Sequence, residues 1–160
     1  MLDKTTFVAL IDAKSDTLYR IARTILRNDE DCKDALQETV LKAWANRCQV
    51  REEAYIGTWM TRILINECHA IGRKRRKYVL SADVAARVVT LPADLSLRQA
   101  LDAMPEKLRL PLILHYLEGY SYQEIASILH IPCTTVRSRL SRARGALQTE
   151  MMKRNGGAAQ

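Results

Sequence analysis

Apolar residues return every three or four positions along most of this chain, and no stretch alternates apolar with polar. A repeat near 3.6 builds amphipathic helices, whereas a half-buried strand needs a repeat of two. An all-α fold is therefore the expectation. Six glycines and four prolines in 160 residues leave few places for the chain to break. No apolar run approaches the roughly 18 residues that cross a bilayer. The start, Met1-Leu2-Asp3-Lys4, has no basic segment followed by an apolar one. A cytoplasmic chain without membrane insertion is expected. Cys32, Cys48, Cys68 and Cys133 are far apart and form no CxxC pair. They read as reduced thiols, mostly small core residues, with no disulfide frame and no metal site.

Phe7, Leu10, Ile11, Leu18, Ile21, Ala22, Ile25 and Leu26 mark a first helical segment ending near Arg27. Asn28 is a good N-cap, and Asp29, Glu30 and Asp31 follow it onto the positive end of a helix dipole. This second helix is expected to run to about Cys48, with Cys32, Ala35, Leu36, Val40, Ala43 and Trp44 on one face. A polar loop, residues 49–53, leads to a third helix with Ile56, Met60, Ile63 and Leu64 inward. Trp59, beside apolar neighbours, is expected in the core. From Tyr78 to about Leu97 the period fades and Pro92 interrupts it, which reads as a linker. Its twenty or so residues could span roughly 65 Å if extended.

Beyond the linker a short helix, Leu97 to Met104, precedes Pro105, which suits the first turn of the next helix. Pro111 falls inside that helix and should kink it or shift its start. Ser121-Tyr122-Gln123-Glu124 has capping-box form. The helix it opens turns at His130-Ile131-Pro132, and a basic helix runs from Cys133 to about Thr149. The organisation is thus two small helical domains, residues 1–77 and 97–153, a linker at 78–96 and a disordered tail at 154–160.

Charge is unevenly spread. The net charge is +7, yet residues 1–50 carry 8 basic and 8 acidic side chains. The excess lies in Arg73-Lys74-Arg75-Arg76-Lys77 and in Arg137, Arg139, Arg142 and Arg144. Two basic patches on separate helices point to two contacts with nucleic acid. The second patch sits on a helix-turn-helix pattern. Ile125, Ala126, Leu129, Ile131, Val136 and Leu140 have the spacing of its core. Thr134, Thr135, Arg137, Ser138, Ser141 and Arg142 are left facing outward, on a helix that suits the major groove. At the turn, His130 stands where glycine would be easiest, so it needs a left-handed φ or another turn geometry.

On the second helix Asp34, Gln37, Glu38 and Leu41 share the outer face, a plausible docking patch. The eleven residues from Asp34 to Trp44 closely resemble the core-polymerase-binding helix of bacterial sigma factors. Thr58-Trp59-Met60-Thr61-Arg62-Ile63 with Asn66 resembles the promoter-melting segment of that family. Leu117 to Ala126 and Thr135 to Arg144 resemble its C-terminal helix-turn-helix. Two halves and a linker, from about Leu18 to Leu147, resemble the small extracytoplasmic-function (ECF) sigma factors.

The resemblance implies roles. Asp34, Gln37, Glu38 and Leu41 would dock on the clamp helices of the largest polymerase subunit. The loop Arg51 to Ala54, with Tyr55, Arg62 and Asn66, would capture the non-template strand of the minus-ten element and hold a flipped base. Arg73, Lys74, Arg76 and Lys77 would hold phosphates nearby. The helix carrying Thr134, Thr135, Arg137, Ser138, Arg139, Ser141 and Arg142 would read the minus-thirty-five element. The linker would thread toward the RNA exit path. Core RNA polymerase, promoter DNA and an anti-sigma factor are the implied partners, with no cofactor. A stand-alone helix-turn-helix regulator is the alternative. A DNA-cleaving enzyme fits less well, because no Gly-rich phosphate loop, HExxH or nucleophile elbow can be assembled from the sequence.

Overall fold

The computed structural model describes residues 2–79 and 95–158, so most of the expected linker lies outside the described residues. Among the described residues there is no strand, and seven α-helices account for most of the chain. The chain divides into two compact units, Met1–Val88 and Val89–Gln160.

The first unit packs α1 (Lys4–Ile25), α2 (Asp29–Ala45) and α3 (Ile56–Val79) each against the other two. Asp3 Oδ1 accepts from the Thr6 amide at 2.7 Å and starts α1. Leu26, extended at φ −105° and ψ 130°, ends it, two residues earlier than the periodicity suggested. Asn28 Oδ1 then accepts from the Asp31 amide at 3.3 Å and starts α2. Leu18, Ile21 and Ala22 of α1 meet Cys32, Ala35 and Ala43 of α2 and Met60, Leu64 and Cys68 of α3 in the core. Thr39 is also fully buried, its hydroxyl donating to the Ala35 carbonyl at 2.7 Å. That bond lets a polar side chain fill a core position without leaving a donor unmade.

Helix α2 stops at Ala45 rather than near Cys48. The Asn46 side chain donates to the Lys42 carbonyl at 2.8 Å, competing for the last turn, and a 3-10 turn follows at Arg47–Gln49. Cys48 is thereby exposed, whereas Cys32 and Cys68 are buried and Cys133 is half-buried. Burial pushes the Cys32 thiol up to about 11, which keeps it protonated and inert. Phe7 and Trp44 meet with ring centroids 5.1 Å apart, and the Arg47 guanidinium lies 3.8 Å from the Trp44 centroid. Polar ties cross the helices: Tyr19 donates to Asp29, Lys42 pairs with Glu67, and Arg75 pairs with Asp31.

The second unit contains α4 (Leu95–Asp102), α5 (Glu106–Tyr116), α6 (Tyr122–Leu129) and α7 (Cys133–Ala158). Helix α5 is its centre: the run from Arg109 to Leu114 is buried on every side. Pro105 is the N-cap, its carbonyl accepting from the Leu108 and Arg109 amides at 3.0 and 2.9 Å. Pro111 neither ends α5 nor moves its start; the helix passes through it to Tyr116. The ring is among the most buried side chains, and that burial offsets the helix bond proline cannot donate. Arg109 is buried too, with Nη1 donating to the Met104 carbonyl at 2.7 Å.

The capping box forms as the sequence predicts. The Glu124 amide donates to Ser121 Oγ at 3.1 Å, and the Ser121 amide donates to Glu124 Oε2 at 2.7 Å. At the other end of α6, His130 takes the left-handed conformation, φ 54° and ψ 47°. The Ile131 amide then donates to the Ala126 carbonyl at 3.1 Å, closing the helix in the Schellman manner. Ile125, Val136 and Leu140 are fully buried, as the motif requires. Ile128, not Leu129, completes the α6 core face. Because His130 is exposed, its side chain contributes little against the left-handed backbone. His130→Gly should therefore raise stability by about 0.5–1 kcal/mol. The check is a higher urea midpoint at unchanged m-value; a lower midpoint would show the imidazole outweighs the backbone strain.

Helix α7 corrects the expected tail. It runs beyond Thr149 to Ala158, where disorder was expected from residue 154. Arg154 Nη1 donates to Gln99 Oε1 of α4 at 2.7 Å, and Arg154 Nη2 lies 4.0 Å from Glu150. These contacts tie the last turns to α4, a long-range pairing the local composition does not reveal.

Candidate nucleic-acid and protein-docking surfaces

On α2 the spacing of Asp34, Gln37, Glu38 and Leu41 is i, i+3, i+4, i+7, one face of a helix. All four are exposed, and Leu41 is 63% exposed. Asp34, Gln37 and Glu38 line a groove of about 690 Å³ between α2 and α3. Lys74 lines the same groove, with Ala70 and Ile71. The expected phosphate contact Lys74 therefore sits with the expected docking residues Asp34, Gln37 and Glu38. The ion pairs Lys42–Glu67 and Arg75–Asp31 lie along this groove and hold its two helices together.

On α3, at 100° per residue, Arg62, Asn66, Arg73, Arg76 and Lys77 fall within an arc of about 100°. Arg62 is half-buried; the other four are exposed. The structure thus brings these five to one stripe. Arg75, between them in sequence, points away to Asp31. The stripe begins beside a cavity of about 290 Å³ lined by Gln49, Val50, Arg51, Glu52, Tyr55 and Trp59. Tyr55 is 63% exposed. Trp59 is only half-buried and walls this cavity, so it is not the core residue its neighbours suggested. The 3-10 turn at Glu53–Tyr55 turns the chain so that both rings reach one cavity.

On α7 the same wheel puts Val136, Leu140 and Ala143 on the core side, and each is fully buried. Thr134, Arg137, Ser138, Ser141 and Arg142 occupy an opposing arc of about 140°, and all five are exposed. Thr135 and Arg139 stand at one edge, half-buried. Beside that edge lies a cleft of about 300 Å³, lined by Lys107, Leu108, Thr134, Thr135, Ser138, Arg139 and Arg142. Sequence reasoning missed Lys107, which reaches the cleft from the first turn of α5. Arg144 faces elsewhere, its Nη1 donating to the Tyr116 hydroxyl at 2.9 Å.

Among the described residues no group of three or more His, Cys, Asp and Glu side chains could hold a metal ion. No helix of the described residues is long and apolar enough to cross a membrane.

The chain thus carries a three-helix unit with an exposed Asp34, Gln37, Glu38 and Leu41 face and a second unit with a helix-turn-helix. Residues 10–78 match the family described as Sigma-70 region 2, and residues 94–147 match Sigma-70, region 4. The ECF RNA polymerase sigma factor SigW of Bacillus subtilis is 28% identical, over 93% of this chain and 90% of that protein. The ECF RNA polymerase sigma-E factor of Salmonella typhimurium is 30% identical, over 76% of this chain and 74% of its own length. Among solved structures, the sigma factor RpoE of Bartonella quintana, in complex with the anti-sigma factor NepR, superposes with a TM-score of 0.80. That match has 28% identity and covers 92% of this chain and 96% of the other. This chain belongs to the ECF family of RNA polymerase sigma factors.

Proposed function

We propose that this protein docks core RNA polymerase through α2, opens the minus-ten element with α3 and the cavity before it, and reads the minus-thirty-five element with α7. It forms and breaks no covalent bonds; it supplies promoter choice and strand separation. The observation that supports this most is the split on α7 between a buried stripe and an outward stripe of Arg, Ser and Thr. Such a face offers hydrogen-bond donors to base edges and phosphates without disturbing its own core. In the first unit, Tyr55 and Trp59 wall a cavity suited to one unstacked base. Arg62, Asn66, Arg73, Arg76 and Lys77 continue from it as a track for the single strand. Asp34, Gln37, Glu38 and Leu41, with Lys74 at the groove, meet the polymerase. An anti-sigma protein would act by covering these same surfaces, and Leu41 is the exposed apolar anchor such a partner would seek.

Run-off transcription from fragmented bacterial genomic DNA tests the reading, with core RNA polymerase alone and with this chain added. Discrete new transcripts sharing a two-part upstream element are expected. No transcripts, together with no retention of the chain on core enzyme, would leave a stand-alone helix-turn-helix regulator as the better account. Within this scheme Gln37→Ala with Glu38→Ala should weaken core binding and leave the helical content unchanged. Both side chains are exposed, so truncation removes contacts and not packing. Unchanged affinity for core enzyme would remove α2 as the docking element.

A further inference from the structure

The cleft between α5 and α7 is lined by three cationic side chains, three hydroxyls and one leucine, and by no carboxylate. Lys107 and Leu108 come from α5; Thr134, Thr135, Ser138, Arg139 and Arg142 come from α7. Every charged group in it is a donor. Elsewhere this protein tends to neutralise its interhelical cations, as with Lys42 on Glu67 and Arg75 on Asp31. Here neither Lys107, Arg139 nor Arg142 has an ion-pair partner among the described residues. Three like charges gathered without a counter-charge cost folding energy unless an anion fills the space. The preceding residue, Glu106, does not line the cleft.

We infer that this cleft is a phosphate cradle, in which Lys107 and Arg139 hold one backbone phosphate of the duplex that α7 reads. The inference rests on the DNA-reading role proposed above for α7 and adds a residue from a different helix. The division of labour follows from geometry. A helix lying in the major groove, about 12 Å wide, has a wall of phosphates on each side. Ser141, Thr134 and Ser138 hold the centre of its outward arc and face base edges, with Arg137 closing the far end of the arc and Arg142, which also lines the cleft, the near end. Arg139 at the arc's margin and Lys107 on the neighbouring helix face the wall. The chemistry agrees. A lysine ammonium is a flexible point charge that suits a phosphate and cannot make the bidentate fork by which arginine reads guanine. A contact to the wall carries no sequence information; it sets how deep and at what register α7 lies. Lys107 is therefore a positioning residue for promoter recognition. Thr135, half-buried at the same margin, supplies a neutral hydroxyl to the same oxygens.

The test uses the full chain with core RNA polymerase and a duplex enriched from a pool randomised across the upstream element. Lys107→Gln, Lys107→Arg and Arg137→Ala are compared over a series of salt concentrations and over single-base variants of that duplex. Lys107→Gln should weaken binding equally on all base variants. It should also flatten the plot of log affinity against log salt by about one unit, the loss of one phosphate contact. Lys107→Arg should restore the slope. Arg137→Ala should instead relax preference at particular base pairs. An unchanged slope in Lys107→Gln, or a changed base preference, overturns the cradle while an effect of Arg137→Ala leaves the α7 reading standing. A pool that yields no enriched element overturns both. Lys107 is exposed, and matching circular dichroism of the variants keeps a folding defect from imitating the result.

Discussion

Leu114→Ala should abolish recognition of the upstream element while the chain still binds core polymerase. Leu114 is fully buried in the last turn of α5, the helix against which α6 and α7 pack. Removing three carbons there loses their transfer energy and leaves a cavity, at a cost of about 2–5 kcal/mol. A helical unit of this size has only about 3–10 kcal/mol to lose, so much of its population unfolds. The first unit has its own core, built from α1, α2 and α3, and should keep its α2 docking face. Two measurements check this: thermal unfolding by circular dichroism, in which only part of the helical signal melts earlier, and retention on core enzyme. Leu114→Met, which conserves volume, should cost less than about 1.5 kcal/mol and restore upstream recognition. Loss of core binding in Leu114→Ala would show that the second unit is needed for docking.

Arg142→Ala acts without touching the core. Its side chain is exposed on the outward arc of α7, opposite the buried Leu140 and Ala143. If it makes a bidentate contact with a guanine, its loss costs about 1–3 kcal/mol, or roughly five- to 150-fold in affinity for the preferred element. Stability should change by less than about 0.5 kcal/mol, as for other surface substitutions. Competition between the preferred duplex and single-base variants distinguishes this from a phosphate contact: discrimination should collapse at one base pair and persist at the others. Equal loss on every duplex would assign Arg142 to the backbone.

The chemistry that made the helices legible is local. Asn28 and the Ser121–Glu124 pair act over three residues, so their caps can be read from sequence and both form. The turn at His130 was legible for the same reason, as either a left-handed φ or another turn geometry, and the structure takes the left-handed one. What the sequence hid is non-local. Lys107 joins the α7 cleft across more than twenty residues of chain, and nothing in its own segment points there. Trp59 lies on a helix with the apolar Ile56, Met60 and Ile63, yet the 3-10 turn before that helix leaves it lining a cavity. Lys74 belongs to a basic run by composition and to the α2 groove by helical phase. Thr39 is polar, and its bond to Ala35 admits it to the core.

The two-sided character of α7 also bears on how such proteins diversify. The residues that hold the helix, Val136, Leu140 and Ala143, and those that face outward, Arg137, Ser138, Ser141 and Arg142, share no position. Mutations in the second set leave the first untouched, so sequence drift at this outward surface is nearly neutral for folding. A duplicated copy could therefore acquire a new regulon by a few outward substitutions, without passing through an unfolded intermediate and without rebuilding its scaffold.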